Sequence, residues 1–213
     1  MSSSTTKSRL RQRQYQRIKT RRKRARRRAA LFFCALIMLC LTVIGIKSGL
    51  EMSRSIKYPV EYSGYITKCA RENDLDPYLV ISVIKQESNF VPDARSPYAG
   101  GLMQLTEETA HEYAAKMGLE NYDYMEPETN IQIGCYVLRC LIDKYEIVDT
   151  ALAAYNAGMG NVDKWLADPE YSSDGETLDH IPFPETRHYV SKINNYMIEY
   201  KENVSLLSDG SMQ

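Results

Sequence analysis

The chain has 213 residues, and its 27 Lys or Arg are matched by 27 Asp or Glu, so the formal net charge is zero. The balance is uneven: residues 1–28 hold thirteen Lys or Arg and no acid, which leaves 14 basic and 27 acidic side chains on the rest. A chain-wide basic surface is therefore excluded, and any nucleic-acid-binding reading is confined to that first arm.

The arm, residues 1–28, is dominated by Ser, Thr, Gln and Arg, carries Tyr15 as its one aromatic, and is expected to be disordered. Arg-rich segments do neutralise phosphates. With no recognisable fold, however, the arm reads better as charge that orients a membrane segment, and nucleic acid is not expected as a partner. Ala29 to Ile46 is an uncharged run of eighteen residues, long enough as a helix to span about 27 Å. Cations crowd its N-terminal flank, whereas only Lys47 and Arg54 follow closely on the other. The expectation is a transmembrane anchor over residues 29–47, with the N-terminus in the cytoplasm and the remainder outside. A cleaved signal peptide shares this general form. The long basic region and the absence of a small-x-small site in Ile46-Lys47-Ser48-Gly49-Leu50 favour an uncleaved anchor.

A linker is expected over 48–57, then an all-α domain over 58–203 and a short tail over 204–213. Tyr62, Tyr65, Ile66 and Cys69 recur at helical spacing before Asn73-Asp74-Leu75-Asp76. Asp76 as N-cap and Pro77 as first residue predict a second helix to about Glu87. After a loop with Pro92, Pro97, Gly100 and Gly101, Thr106 is expected to cap a helix ending near Gly118, and Pro127 to open a longer one through Tyr145. Asp149 is the expected cap of a helix ending at Ala157. Gly158 and Gly160 then allow a sharp turn into a short helix over 161–167. A polar loop leads to a last helix whose stripe is Tyr189, Val190, Ile193, Tyr196, Met197 and Tyr200. No segment alternates at period two.

Of five cysteines, Cys34 and Cys40 lie in the apolar run and Cys69, Cys135 and Cys140 beyond it. An odd number outside allows at most one pair. Cys69 and Cys135 fall on apolar stripes, so either a disulfide or two buried thiols is open. No spacing forms a zinc motif: after His111-Glu112, Ala115 stands where a second His would be.

On the second helix Val80, Val83, Ile84 and Glu87 share one face, which puts a carboxyl where the pattern calls for an apolar group. Burial and the negative end of the helix dipole would both raise its pKa, as a general acid near neutral pH requires. The alternative is that Glu87 merely ends the helix in water. Gly100 and Gly101 permit positive φ and close approach of a ligand. Met103 offers an apolar contact, and Gln104 an amide that both donates and accepts; a plain helix start at Gly101-Leu102 is the other reading. Tyr155, alone among small residues, can reach towards Glu87 or a ligand. Asn156 is equally readable as a helix-end residue, and Arg187 as a structural partner of Glu185.

Taken in order, Gln86-Glu87-Ser88, Gly101-Leu102-Met103-Gln104, Ala154-Tyr155-Asn156-Ala157-Gly158 and Glu185-Thr186-Arg187-His188-Tyr189-Val190 resemble the soluble lytic transglycosylase domain, a relative of goose-type lysozyme. The likeness covers roughly residues 60–203. It implies a lysozyme-like helical fold, peptidoglycan glycan strands as substrate and no cofactor. It further implies Glu87 as the single acid and base, with the substrate-binding residues Ser96, Met103, Gln104, Tyr155, Asn156 and Glu185. In this family the muramic acid 6-hydroxyl closes onto C1 in place of water and leaves a 1,6-anhydro end. The loop Ser96-Pro97-Tyr98-Ala99-Gly100-Gly101 departs from the common pattern, being one residue shorter and carrying Tyr98 where glycine is frequent. A hydrolytic muramidase with Asp93 or Glu107 as base, and a non-catalytic wall-binding scaffold, are the competing functions. A partner assembly in the cell envelope is left open.

Overall fold

A computed structural model of the chain describes residues 32–34, 36–53 and 56–205, together with Arg21 and Met212. The expected basic arm, Arg21 apart, and most of the tail lie outside the described residues. Two compact units meet between Ile56 and Lys57.

The first unit contains helix α1 (Phe32–Ser53), with a mean hydropathy of 2.1 and none of its apolar window buried. It continues past Ile46 into the segment expected as a linker. Nothing there breaks a helix before Pro59, and Lys47 and Glu51 pair at i,i+4 across 3.7 Å.

In the second unit the order is α2 (Ser63–Glu72), α3 (Pro77–Glu87), β1 (Ala99–Gly100), β2 (Leu105–Thr106), α4 (Glu107–Lys116), α5 (Pro127–Tyr145), α6 (Val148–Ala157), α7 (Met159–Leu166) and α8 (Pro184–Asn203). Several starts follow from local chemistry. The Asp76 carboxylate accepts from the Tyr78 amide at 2.8 Å, one residue after Pro77 sets the first helical φ. Thr106 caps α4 through the Thr109 amide, and Glu126 caps α5 through the Thr129 amide.

Other boundaries moved. Asp149 does not cap α6: the tight exit from α5, with Glu146 in the left-handed region, makes Ile147 the N-cap. Asp149 lies in the first turn, where its charge suits the dipole, and it accepts from Asn194 on α8 at 2.9 Å. Helix α7 starts directly after Gly158, whose φ of 84° makes the turn alone, so Gly160 is helical. The strands are antiparallel, with Ala99 opposite Thr106 and Gly100 opposite Leu105. At two residues each they are too short to leave an alternating pattern in sequence.

The helix faces explain the packing. Val80, Val83 and Ile84 on α3, Ile131 and Leu138 on α5, Leu152 on α6 and Ile193 on α8 are fully buried. Helix α3 packs along α8, while α6 contacts both α5 and α8. Each large aliphatic group buried this way contributes about 1.5–3 kcal/mol.

The turn from Gly101 to Gln104, between the strands, is not a helix start. Asn130, buried on α5, holds it from below. Its Oδ1 accepts from the Met103 amide at 2.7 Å, and its Nδ2 donates to the carbonyls of Gly100 at 3.2 Å and Tyr124 at 2.7 Å. Gly101 has φ +80°, and a Cβ there would collide with the Asn130 amide. Gly134, one turn along α5, leaves room for the Met103 side chain in the same way. These glycines are required by contacts inside the protein. Because Asn130→Ala strands the buried Met103 amide and both carbonyls, it should destabilise the domain by about 3 kcal/mol and lower Tm by roughly 6–12 °C. Melting followed by circular dichroism would contradict this account if Tm moved by less than about 2 °C.

Candidate active site

Glu87 ends α3 on the side facing α8. Its Oε1 accepts from the Tyr189 hydroxyl at 2.6 Å. The residue is half-buried, so it keeps an opening to solvent, but the carboxyl itself is closely surrounded by protein. Lost hydration raises its pKa from 4.5 to about 7, against the opposing pull of the Tyr189 hydrogen bond. The site therefore holds a carboxylic acid able to carry its proton near neutrality.

Two phenols flank it. Burial, then the nearby Glu87 charge, pushes the hydroxyls of Tyr155 and Tyr189 well above the ordinary tyrosine value, so both remain proton donors. Of the two partners open to Tyr155, Glu87 or a ligand, Glu87 is not the one it bonds within the protein. Tyr155 instead donates to the Met103 carbonyl at 2.9 Å, because α6 brings it across the Gly101–Gln104 turn. Helix α8, packed along α3, supplies the Glu87 partner. In sequence Tyr189 belongs to an apolar stripe and to the last family-like segment, with no role assigned to its hydroxyl. The signal that could have found it is chemical: a tyrosine on a buried face needs a partner for its hydroxyl.

The remaining expected residues divide by what they touch. Met103 has no exposed surface and packs over Gly134, so its side chain supports the turn from inside. Gln104, at φ 47°, donates through Nε2 to the carbonyls of Ala94 at 3.0 Å and Gly101 at 2.8 Å. Its amide oxygen makes no hydrogen bond among the described residues. Ser96 is exposed and organises its own loop, accepting from the Ala99 amide at 3.0 Å. Asn156 is exposed, and its Oδ1 accepts from Thr186 at 2.8 Å, tying α6 to the start of α8. Glu185 is exposed in the first turn of α8, four residues before Tyr189 and on the same side of the helix. Arg187 does not pair with it; its guanidinium lies 3.2 Å from His180.

A cleft of about 170 Å³ adjoins this group. Gln104 and Tyr155 line it, with Thr106, Thr109, Glu112 and Met159 extending the wall. Glu87 is not part of its lining.

Residues 64–177, more than half of the chain, match the family described as the Transglycosylase SLT domain. The chain belongs to this family. A soluble lytic murein transglycosylase from Salmonella typhimurium is 32% identical over 168 residues, which cover 74% of this chain and 26% of that protein. A membrane-bound lytic murein transglycosylase C from Sodalis glossinidius is 28% identical, covering 66% of this chain and 47% of the relative. Among solved structures, an inactive glutamate-to-glutamine variant of a lytic transglycosylase from Pseudomonas aeruginosa matches with a TM-score of 0.61 at 32% identity, over 70% of this chain and 25% of that one. The chain spans about a quarter of the length of the Salmonella typhimurium and Pseudomonas aeruginosa proteins. In this SLT domain, α8 with Glu185 and Tyr189 lies beyond the matched residues.

Two outcomes follow from the electrostatics of Glu87. Its pKa is about 7 folded against 4.5 unfolded, so the folded chain holds the proton more tightly. The associated stability is complete below about pH 4.5 and is lost as pH rises through about 7. Glu87→Gln, neutral throughout, should therefore gain about 2–3 kcal/mol on the parent between pH 4.5 and pH 8. Urea unfolding of both proteins across that range checks it, and a constant difference would contradict the shift. Tyr189→Phe removes the bond that favours the anion, so the Glu87 pKa should rise further. A side-chain 13C NMR titration reads this directly, and a fall would refute it.

Proposed function

We propose that this chain is a membrane-anchored peptidoglycan lytic transglycosylase, cleaving the β-1,4 bond between N-acetylmuramic acid and N-acetylglucosamine. The observation that carries the reading is a single carboxyl, Glu87, whose burial raises its pKa to about 7 beside Tyr189 and Tyr155. An acid poised near the working pH transfers its proton most effectively.

Protonated Glu87 gives its hydrogen to the bridging oxygen as the C1–O bond breaks, and the N-acetylglucosamine side leaves as an alcohol. The neighbouring 2-acetamido oxygen stabilises the positive anomeric carbon. Glu87, now a carboxylate, takes the proton of the muramic acid 6-hydroxyl as O6 bonds to C1. One carboxyl serves both steps and no water is consumed. Tyr189 steadies the carboxylate while it is charged. Gln104 offers its free amide oxygen to a sugar hydroxyl or acetamide, and Asn156 and Glu185 flank the start of α8. Tyr155, bonded to Met103, joins the turn to α6 and completes the wall. Ser96 shapes the adjoining loop.

A hydrolytic muramidase would need a second group to activate water. The two acids considered for that task, Asp93 and Glu107, are both exposed, and Glu107 lies 3.6 Å from His111. The inactive glutamate-to-glutamine variant among the structural neighbours fits dependence on one carboxyl.

The apolar helix α1 and the membrane-bound relative support anchoring through residues 29–47. The thirteen cations before it support a cytoplasmic N-terminus, with the domain in the compartment that holds peptidoglycan. The full chain in detergent micelles, incubated with isolated peptidoglycan, should release muropeptides with 1,6-anhydro ends, read by mass spectrometry. Glu87→Gln should lower the rate about 10²–10⁴-fold. Ends heavier by one water would replace this mechanism with hydrolysis, and full activity of the variant would remove Glu87 from it.

A further inference from the structure

Helices α2 and α5 pack against each other, and each brings one cysteine to their contact. Cys69 and Cys135 are 1% and 0% exposed, and each thiol lies near enough to alter the ionisation of the other. Both are present as thiols. Cys140 is excluded as the alternative partner: it follows Cys135 by five residues, about 140° around the helix, and is only half-buried. We propose that Cys69 and Cys135 are a disulfide-forming pair, closed by thiol–disulfide exchange, which staples α2 to α5.

The placement gives the staple a purpose. Helix α2 braces α3, which ends in Glu87, while α5 carries Asn130 and Gly134, which hold the turn bearing Met103 and Gln104. A covalent α2–α5 link therefore fixes the support of the acid relative to the support of the opposite wall. Closing the pair needs the sulfurs to approach to about 2.05 Å.

Exchange requires an entering disulfide and a thiolate. Cys69 is the attacking group, because it lies on the 10-residue α2, which opens more readily than the 19-residue α5 that carries Cys135. The Cys69 thiolate attacks one sulfur of a small-molecule disulfide, forming a mixed disulfide and expelling one thiolate. Cys135, deprotonated, then attacks the Cys69 sulfur, forming the protein bond and expelling the second thiolate. The two cysteines lose two electrons and two protons, and the entering disulfide is reduced to two thiols. Because both thiols are buried, access requires transient local opening of the α2–α5 contact. The topology proposed above would place the pair in an oxidising exterior, where such bonds persist, but the chemistry itself stands apart from topology and from glycan cleavage.

The test uses the full chain, reduced and held in detergent micelles, with oxidised glutathione as the disulfide. After denaturing alkylation and digestion, a Cys69–Cys135 linked peptide is expected, with alkylatable thiols falling from five to three. The bridge closes a loop of about 66 residues and should raise Tm by roughly 10 °C, reversed by dithiothreitol. Cys140→Ala should leave the link intact, whereas Cys69→Ala and Cys135→Ala should each abolish both link and shift. Glutathione adducts without an internal link, a link through Cys140, or no loss of thiols would overturn the proposal. None of these readouts depends on cleavage activity, so an inactive protein would still decide it.

Discussion

Removing water from the Glu87 carboxyl costs about 3 kcal/mol at a pH where the group would otherwise ionise, judged from a pKa of about 7 against 4.5. Burial of Val80, Val83 and Ile84 on the same face contributes about 1.5–3 kcal/mol each. The apolar term wins, so α3 stays helical to its last residue and carries the acid into the interior with it. Tyr189 limits the shift through a single 2.6 Å bond. Without that opposing contact the group would hold its proton still more firmly.

The opposite wall is set by a polar relay inside an apolar frame. Asn130 on α5 fixes the Met103 amide, and Tyr155 on α6 takes the Met103 carbonyl. Both backbone groups of one buried residue are thereby satisfied by side chains from different helices. Buried peptide groups cannot be left unpaired cheaply, so the turn has little freedom to drift. Gln104, the next residue, inherits that fixed position, and its amide nitrogen is pinned by Ala94 and Gly101.

Anchoring changes what such a site can reach. On the proposed topology the domain works near the membrane, a location suited to trimming wall for growth or opening a passage for a larger assembly. The charge asymmetry is consistent with this division, since the basic arm suits an anionic inner leaflet.

The helices were legible because periodicity and punctuation reinforce one another: Asp76-Pro77 before an apolar stripe, Thr106 before α4, Pro127 before α5. So was the position of Glu87, since a carboxyl interrupting Val80, Val83 and Ile84 is visible as a one-dimensional pattern. The expected α6 cap at Asp149 failed because the tight α5–α6 connection, not local capping chemistry, chose Ile147. The two-residue strands fell below any detectable period. What only the tertiary structure decided was which groups meet. Tyr189 lies 102 positions from Glu87 and Asn130 lies 27 from Met103. Sequence supplied each of these side chains and the face it occupies, whereas the docking of α8 along α3 and of α5 under the turn selected the partners. Hydrogen bonds depend on separations in space that no local spacing records.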